Sequence, residues 1–278
     1  MSGPANISEV INRLTGGNNG NPETAIWWKD SSAGSSVAGY PYSYWTIKGQ
    51  PGPGATPGAA AVCTSALAGA MRLTNPSGGR KRWLRNLALI GWTSNRYVLY
   101  DRLVHCGGLS GTLTTAQSVG VSVTRYTGSE SFGNLIMAEC YTSIGATGTT
   151  FTCSYLDSTG ATRTTLATAI GGSNCRSPGN AVFARFDPSV AGSNSVTQVV
   201  SATLAATTGT AGNWGITILR PLAEVSIGAV DTSNFGHGTR TVSLEDVEIK
   251  SDSCLSVFHQ GFASTSQYSR LMITSVEN

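Results

Sequence analysis

Acid–base or nucleophilic chemistry on this chain would have to start from its three histidines, His105, His237 and His259. A Ser-His-Asp arrangement needs a nucleophile, a base and an orienting acid that the fold brings together. The nucleophile elbow Gly-x-Ser-x-Gly does not occur, and Ser110 in Gly107-Gly108-Leu109-Ser110-Gly111 lacks its spacing. His105 ends an apolar stretch beside Cys106 and reads as structural. His237, within Phe235-Gly236-His237-Gly238, is the best placed for a contact. Metal chemistry would need C-x-x-C, H-E-x-x-H or an acidic calcium loop, and none is present. His105 and Cys106 are adjacent, so a strand points them to opposite faces, where they cannot share an ion.

One carboxylate group remains. Glu245, Asp246 and Glu248 fall together, and on a strand Asp246 and Glu248 share a face roughly 7 Å apart. That separation is compatible with glycoside hydrolysis. The competing assignment is a solvated outer face, with Leu244, Val247 and Ile249 turned inward through a local irregularity, and nothing nearby suggests a sugar cleft. The chain is therefore expected not to be an enzyme and to have no catalytic, cofactor or metal site.

The basic run Arg80-Lys81-Arg82, extended by Arg85 and flanked by Trp83, raises nucleic-acid binding. Such binding calls for several patches with interleaved aromatics. With a net charge of +3 and 12% charged residues, a solvated loop or a contact to an acidic protein surface fits better. Glycine pairs such as Gly107-Gly108 and Gly171-Gly172 precede no helix, which argues against a phosphate cradle.

The elements that would position these residues are mostly strands. Low charge, 40% hydrophobic residues and 34 glycines point to an ordered, hydroxyl-rich β protein rather than disorder. From Tyr97 onward, short alternating segments follow one another: Tyr97–Val104, Val119–Tyr126, Leu135–Tyr141, Thr149–Leu156, Val182–Phe186, Val196–Leu204, Trp214–Leu219, Val225–Val230, Thr241–Ile249, Cys254–His259 and Ser269–Val276. Asp157-Ser158-Thr159-Gly160 turns one clear hairpin into Thr162–Leu166. Leu84–Ile90 is an apolar run suited to a buried strand. The expected fold is an all-β, antiparallel, jelly-roll-like sandwich with a short N-terminal helix and arm.

That arm is expected over residues 1–25. Ile7, Val10, Ile11 and Leu14 form one apolar stripe at helical spacing, and the tract 16–22 breaks the helix and tethers it. A two-turn helix is not stable alone, so the stripe must dock on its own body or on a neighbouring subunit. The β body is expected over 26–278, with 26–96 an irregular, loop-rich subregion. It opens with two aromatic clusters, Trp27-Trp28 and Tyr40–Trp45. The Gly/Pro-rich tract 49–58 can be neither helix nor central strand and reads as a long exposed loop. The start of the chain has no basic-then-apolar secretion pattern, and no apolar stretch reaches the ~20 residues of a membrane span. The six scattered cysteines are accordingly expected to be reduced and buried.

Three stretches together resemble virion structural proteins of tailed bacteriophages. They are Ile7-Ser8-Glu9-Val10-Ile11-Asn12-Arg13-Leu14 with its Gly/Asn tether, the block running from Tyr100 to Gly111, and the hairpin from Tyr155 to Thr165. Within that group the chain is most similar to capsid decoration or cement proteins, which bind outside the shell and bridge capsomers. The resemblance implies no enzyme activity and a place on the capsid exterior after synthesis in the host cytoplasm. It also implies partners in the major capsid protein and in copies of the chain itself, a homo-oligomer with a trimer favoured, and no nucleic-acid or membrane partner. The partner-facing residues would be Ile7, Val10, Ile11, Leu14, Trp27, Trp28, Arg80, Lys81 and Arg82. The alternative is a tail, baseplate or head-fibre component contacting host glycans through Tyr40, Tyr42, Tyr44 and Trp45.

Overall fold

A computed structural model describes Ser8 and residues 21–29, 36–91, 95–227, 238–261 and 269–277. These residues form an all-β, jelly-roll-like sandwich in which every strand pairing is antiparallel. The stripe residues Ile7, Val10, Ile11 and Leu14 lie outside the described residues, as does His237.

A seven-stranded sheet is built on two 15-residue strands, β6 (Asn95–Leu109) and β14 (Asn213–Ile227). Beyond β14 come β8 (Leu135–Thr142) and β12 (Ala181–Phe183); beyond β6 come β16 (Leu255–Gly261) and β2 (Pro41–Ser43). The short β4 (Ala61–Val62) joins the same edge of β6 past the start of β16. One five-stranded sheet contains β10 (Thr162–Thr164), β9 (Thr149–Leu156), β13 (Gln198–Leu204) and β7 (Gln117–Ser122), with β11 (Thr168–Ile170) also on β9. The other has the order β15 (Gly238–Ile249), β5 (Arg82–Gly91), β17 (Ser269–Glu277), β1 (Asn21–Lys29) and β3 (Gly49–Gln50).

The long strands serve two cores. Val104, Cys106, Ile136, Trp214 and Ile216 pack with Phe151, Tyr155, Val199 and Leu204 of the β9 sheet. Tyr97, Leu99, Val225 and Val257 pack with Trp27, Leu87, Leu271 and Ile273 of the β5 sheet. Alternation supplies this pattern, since successive strand side chains point to opposite faces.

Several expectations are refined by glycine and proline placement. Gly107-Gly108, read as a turn, lies inside β6: Trp214 pairs Leu109 and Ile216 pairs Cys106, so two β6 residues oppose one on β14. Gly108 has φ +75°, and a Cβ on Gly107 would fall 2.1 Å from the Pro57 carbonyl oxygen. A bulge takes such glycines readily. Trp214–Leu219 and the described start of the next segment, Val225–Ile227, are joined into β14 across a register shift between Pro221 and Ala223, an irregularity that accommodates proline. The irregularity expected near Glu245 is a register shift between Ser243 and Val247. β1 begins at Asn21, so residues 21–25 belong to the sheet rather than to an arm.

The Gly/Pro-rich loop is clamped rather than free, another departure from expectation. Buried Lys29 donates from Nζ to the carbonyls of Ile47 (3.1 Å), Pro51 (2.7 Å) and Gly52 (3.1 Å). Trp45 Nε1 donates to Ala55 O at 2.9 Å. Burial lowers the Lys29 amine to about 8.

Adjacent residues of β6 carry two buried ion pairs on opposite faces. Arg125 donates to both Asp101 oxygens at 2.9 and 2.7 Å, and Ser253 Oγ and Cys254 N supply two further donors. On the other face Arg102 forms a two-pronged pair with Glu139, donates to Tyr141 OH at 3.0 Å and to His105 Nδ1 at 3.2 Å, and lies 4.6 Å from the Trp45 ring. Tyr141 and Thr217 hydroxyls donate to the same carboxylate. Burial pushes the Glu139 carboxyl up, yet Arg102 more than offsets it and holds it at about 2. Removing one partner strands a buried charge. Arg102→Met is expected to cost about 3–5 kcal/mol in chemical denaturation. Arg102→Met with Glu139→Leu should cost clearly less than the sum of the single changes.

Candidate interaction surface

Period-two alternation in β1 turns Ala25, Trp27 and Lys29 inward and Thr24, Ile26 and Trp28 outward. The outward residues meet those of β17 and β5 across the sheet. Ile26 is opposite Met272, which is opposite Ala88; Trp28 is opposite Arg270, which is opposite Ile90. The result is a contiguous apolar patch with Ile26 56%, Trp28 44%, Ile90 43% and Met272 42% exposed. It gathers four of the seven large exposed hydrophobics among the described residues, which scattered surface leucines would not do.

A groove of about 710 Å³ adjoins the patch along β1, lined by Ile26, Trp28, Pro51, Leu67, Met71 and Arg72. On that side β3 pairs only with Trp28 and Lys29, so among the described residues Asn21–Trp27 present a ladder edge without a strand partner. At its far end Glu23 accepts from Thr74 N at 2.8 Å. An open edge beside an apolar groove can take up an extended segment, with backbone bonds supplying affinity and the groove selecting side chains.

The residues expected to face a partner are divided by the structure. Trp28 is in the patch. Trp27 is 1% exposed and packs edge-on against Tyr44 at 4.9 Å, so it is a core residue and not an anchor. The basic run is neutralised within the chain: Arg80 pairs with Glu277, Lys81 with Glu248, and buried Arg82 with Glu23 and Glu277. Arg80, Lys81 and Arg82 thus do not make a free basic surface. The signal for this exposed patch lies in β1 alone, since neighbouring strand residues cannot both face out. Met272 and Ile90 join it only through pairing with β17 and β5.

The other candidates resolve as follows. Tyr42, Tyr44 and Trp45 are 4%, 3% and 2% exposed, which removes them as sugar platforms. Glu248 accepts from Lys81 at 2.9 Å and Lys250 at 3.4 Å, while the side chains of Glu245 and Asp246 lie outside the described residues. All six cysteines are buried. Among the described residues no cluster of three or more His, Cys, Asp and Glu is arranged to hold a metal.

His259 is enclosed by the rings of Tyr42, Tyr44 and Tyr97 at 5.4, 5.2 and 5.8 Å, and neither ring nitrogen has a hydrogen-bond partner. Burial lowers the imidazole from 6.5 to about 4. The unfolded chain therefore takes up a proton below about 6.5 that the folded chain refuses until about 4. This contribution to stability is present above the higher value and is lost as pH falls toward the lower. Between pH 7 and 4.5 the natural chain should lose about 2–3 kcal/mol from this group. His259→Phe, measured by denaturant titration at both pH values, should lose that much less.

No protein-family model matches this chain, and no curated protein matches it. Among solved structures it is weakly similar to three from infectious bursal disease virus, each overlapping 93% of this chain. The Gt strain structure shares 10% identity over 80% of its own chain at a TM-score of 0.19. The VP2 subviral particle shares 10% over 80% at 0.17. The derived T=1 particles share 11% over 77% at 0.18. All three are viral particles, and overlap at that level transfers neither fold nor function to this chain.

Proposed function

We propose that this chain is a non-enzymatic virion structural protein that binds other protein surfaces through the outer face of the β5 sheet. The observation that carries this proposal is the Ile26–Trp28–Ile90–Met272 patch, displayed beside an open strand edge on a rigid sandwich. An aromatic anchor with aliphatic neighbours is the composition that dominates interface energetics. The buried ionisable groups are consistent with it, since Asp101, Arg102, Arg125 and Glu139 all bond one another or nearby protein groups. Low charge and the bacteriophage resemblance favour a capsid decoration or cement role. The partners would be the major capsid protein and further copies of this chain, as a homo-oligomer on the capsid exterior. Weak single contacts suffice there, because an oligomer engaging several capsomers gains avidity.

Re-binding of purified protein to stripped capsids tests the assignment. Trp28→Asp with Ile26→Asp should weaken binding at least about tenfold while leaving the thermal transition nearly unchanged. Binding unaffected by both changes removes the patch from the interface. Copy number per particle separates the remaining positions: hundreds fit the shell, and a dozen or fewer fit a tail, baseplate or head fibre.

A further inference from the structure

Cys63 and Cys254 come from segments nearly 200 residues apart, yet they stand side by side on one edge of β6. Cys63 N donates to Leu103 O and Arg102 N donates to Cys254 O, each at 2.9 Å, so the two cysteines oppose successive β6 residues. Both are 0% exposed and share a small apolar cluster with Trp45 and Ala70. His105 and the Arg102 guanidinium are close enough to act electrostatically on the Cys63 thiol.

We propose that Cys63 and Cys254 are a latent disulfide site, closed by exchange with a small-molecule disulfide such as oxidised glutathione. The pair is asymmetric in the way that exchange requires. Burial alone would raise the Cys63 thiol, but Cys254, His105 and Arg102 together hold it at about 5, whereas Cys254 is pushed well up. Of the two, Cys63 is the sulfur biased toward the attacking thiolate and Cys254 the one biased toward the resolving thiol. The other four lack this arrangement. Burial raises Cys106, Cys140, Cys153 and Cys175, and the Cys140 and Cys175 thiols donate to the carbonyls of Arg176 (3.0 Å) and Asn180 (3.1 Å).

In the first step the Cys63 thiolate attacks one sulfur of oxidised glutathione, and one glutathione thiolate leaves. Cys254 then gives up its proton and attacks the Cys63 sulfur, expelling the second glutathione. Two protein thiols are oxidised and one glutathione disulfide is reduced to two thiols. Access comes through local opening of the covering segment, residues 51–72, whose only strand is the two-residue β4. Closing the bond would pin that segment, including Leu67 and Met71, which wall the groove beside β1. The proposal is independent of what the groove binds.

The full chain is equilibrated in glutathione buffers from reducing to oxidising, quenched with acid, unfolded, alkylated and mapped by mass spectrometry. The expected result is joint loss of two alkylation sites, a linked peptide joining Cys63 to Cys254, and a rise in Tm of about 5 °C or more. Cys254→Ser should instead stop at a glutathione adduct on Cys63 with no such rise. Any of three results in the natural chain overturns the proposal: both cysteines alkylated in every buffer, an adduct that never closes, or a bond joining a different pair. The natural chain decides even if Cys254→Ser does not fold.

Discussion

The structure depends on holding opposite charges in the dry interior at the middle of β6. Asp101 and Arg102 are neighbours in sequence and point to opposite faces, and each is fully buried. Burying either unpaired would be prohibitive, so each face must deliver a partner to a fixed place. Arg125 arrives from beyond β7 on one face; Glu139 of β8 and Thr217 of β14 meet Arg102 on the other. A one-residue slip between β6, β14 and β8 would move these side chains to the wrong face and leave charges stranded. Register in the seven-stranded sheet is thereby tied to polar geometry as well as to hydrophobic alternation.

The same constraint organises the loop-rich region before β5. Trp45 covers the Arg102 guanidinium, and Cys63 and Cys254 border it, so 45–72 acts as a lid over the polar centre. Lys29 fixes the loop from below through three carbonyls. Close approach leaves no room for a side chain at Gly54, where a Cβ would come within 2.3 Å of the Trp45 ring. Composition suggested a long exposed loop here, and hydrogen bonds from the Lys29 and Trp45 side chains to its carbonyls make it part of the body.

Consequences for function follow from what the fold uses up. The aromatic cluster 40–45 and the basic run 80–82 looked outward in sequence, and most of those side chains are consumed by packing and internal ion pairs. Among the described residues, no second layer covers Ile26, Trp28, Ile90 and Met272 on the outer face of the β5 sheet. Its position beside the β1 edge and a groove gives that face both apolar area and backbone groups to offer a protein partner.

Alternation and turn chemistry alone determined the all-β class and most strands, β9 to the residue, because a half-buried strand imprints period two on its side chains. Trp27 and Trp28, both expected to face a partner, are turned apart by the alternation of β1, which leaves only Trp28 exposed. The fusion across Pro221 and the bulge at Gly107-Gly108 were not legible, since both depend on what the partner strand offers opposite. Tertiary structure likewise decided which charges are neutralised, which thiols are neighbours and which hydrophobics stay exposed. Those properties belong to pairs of residues far apart in the chain, and a local pattern carries no record of such pairings.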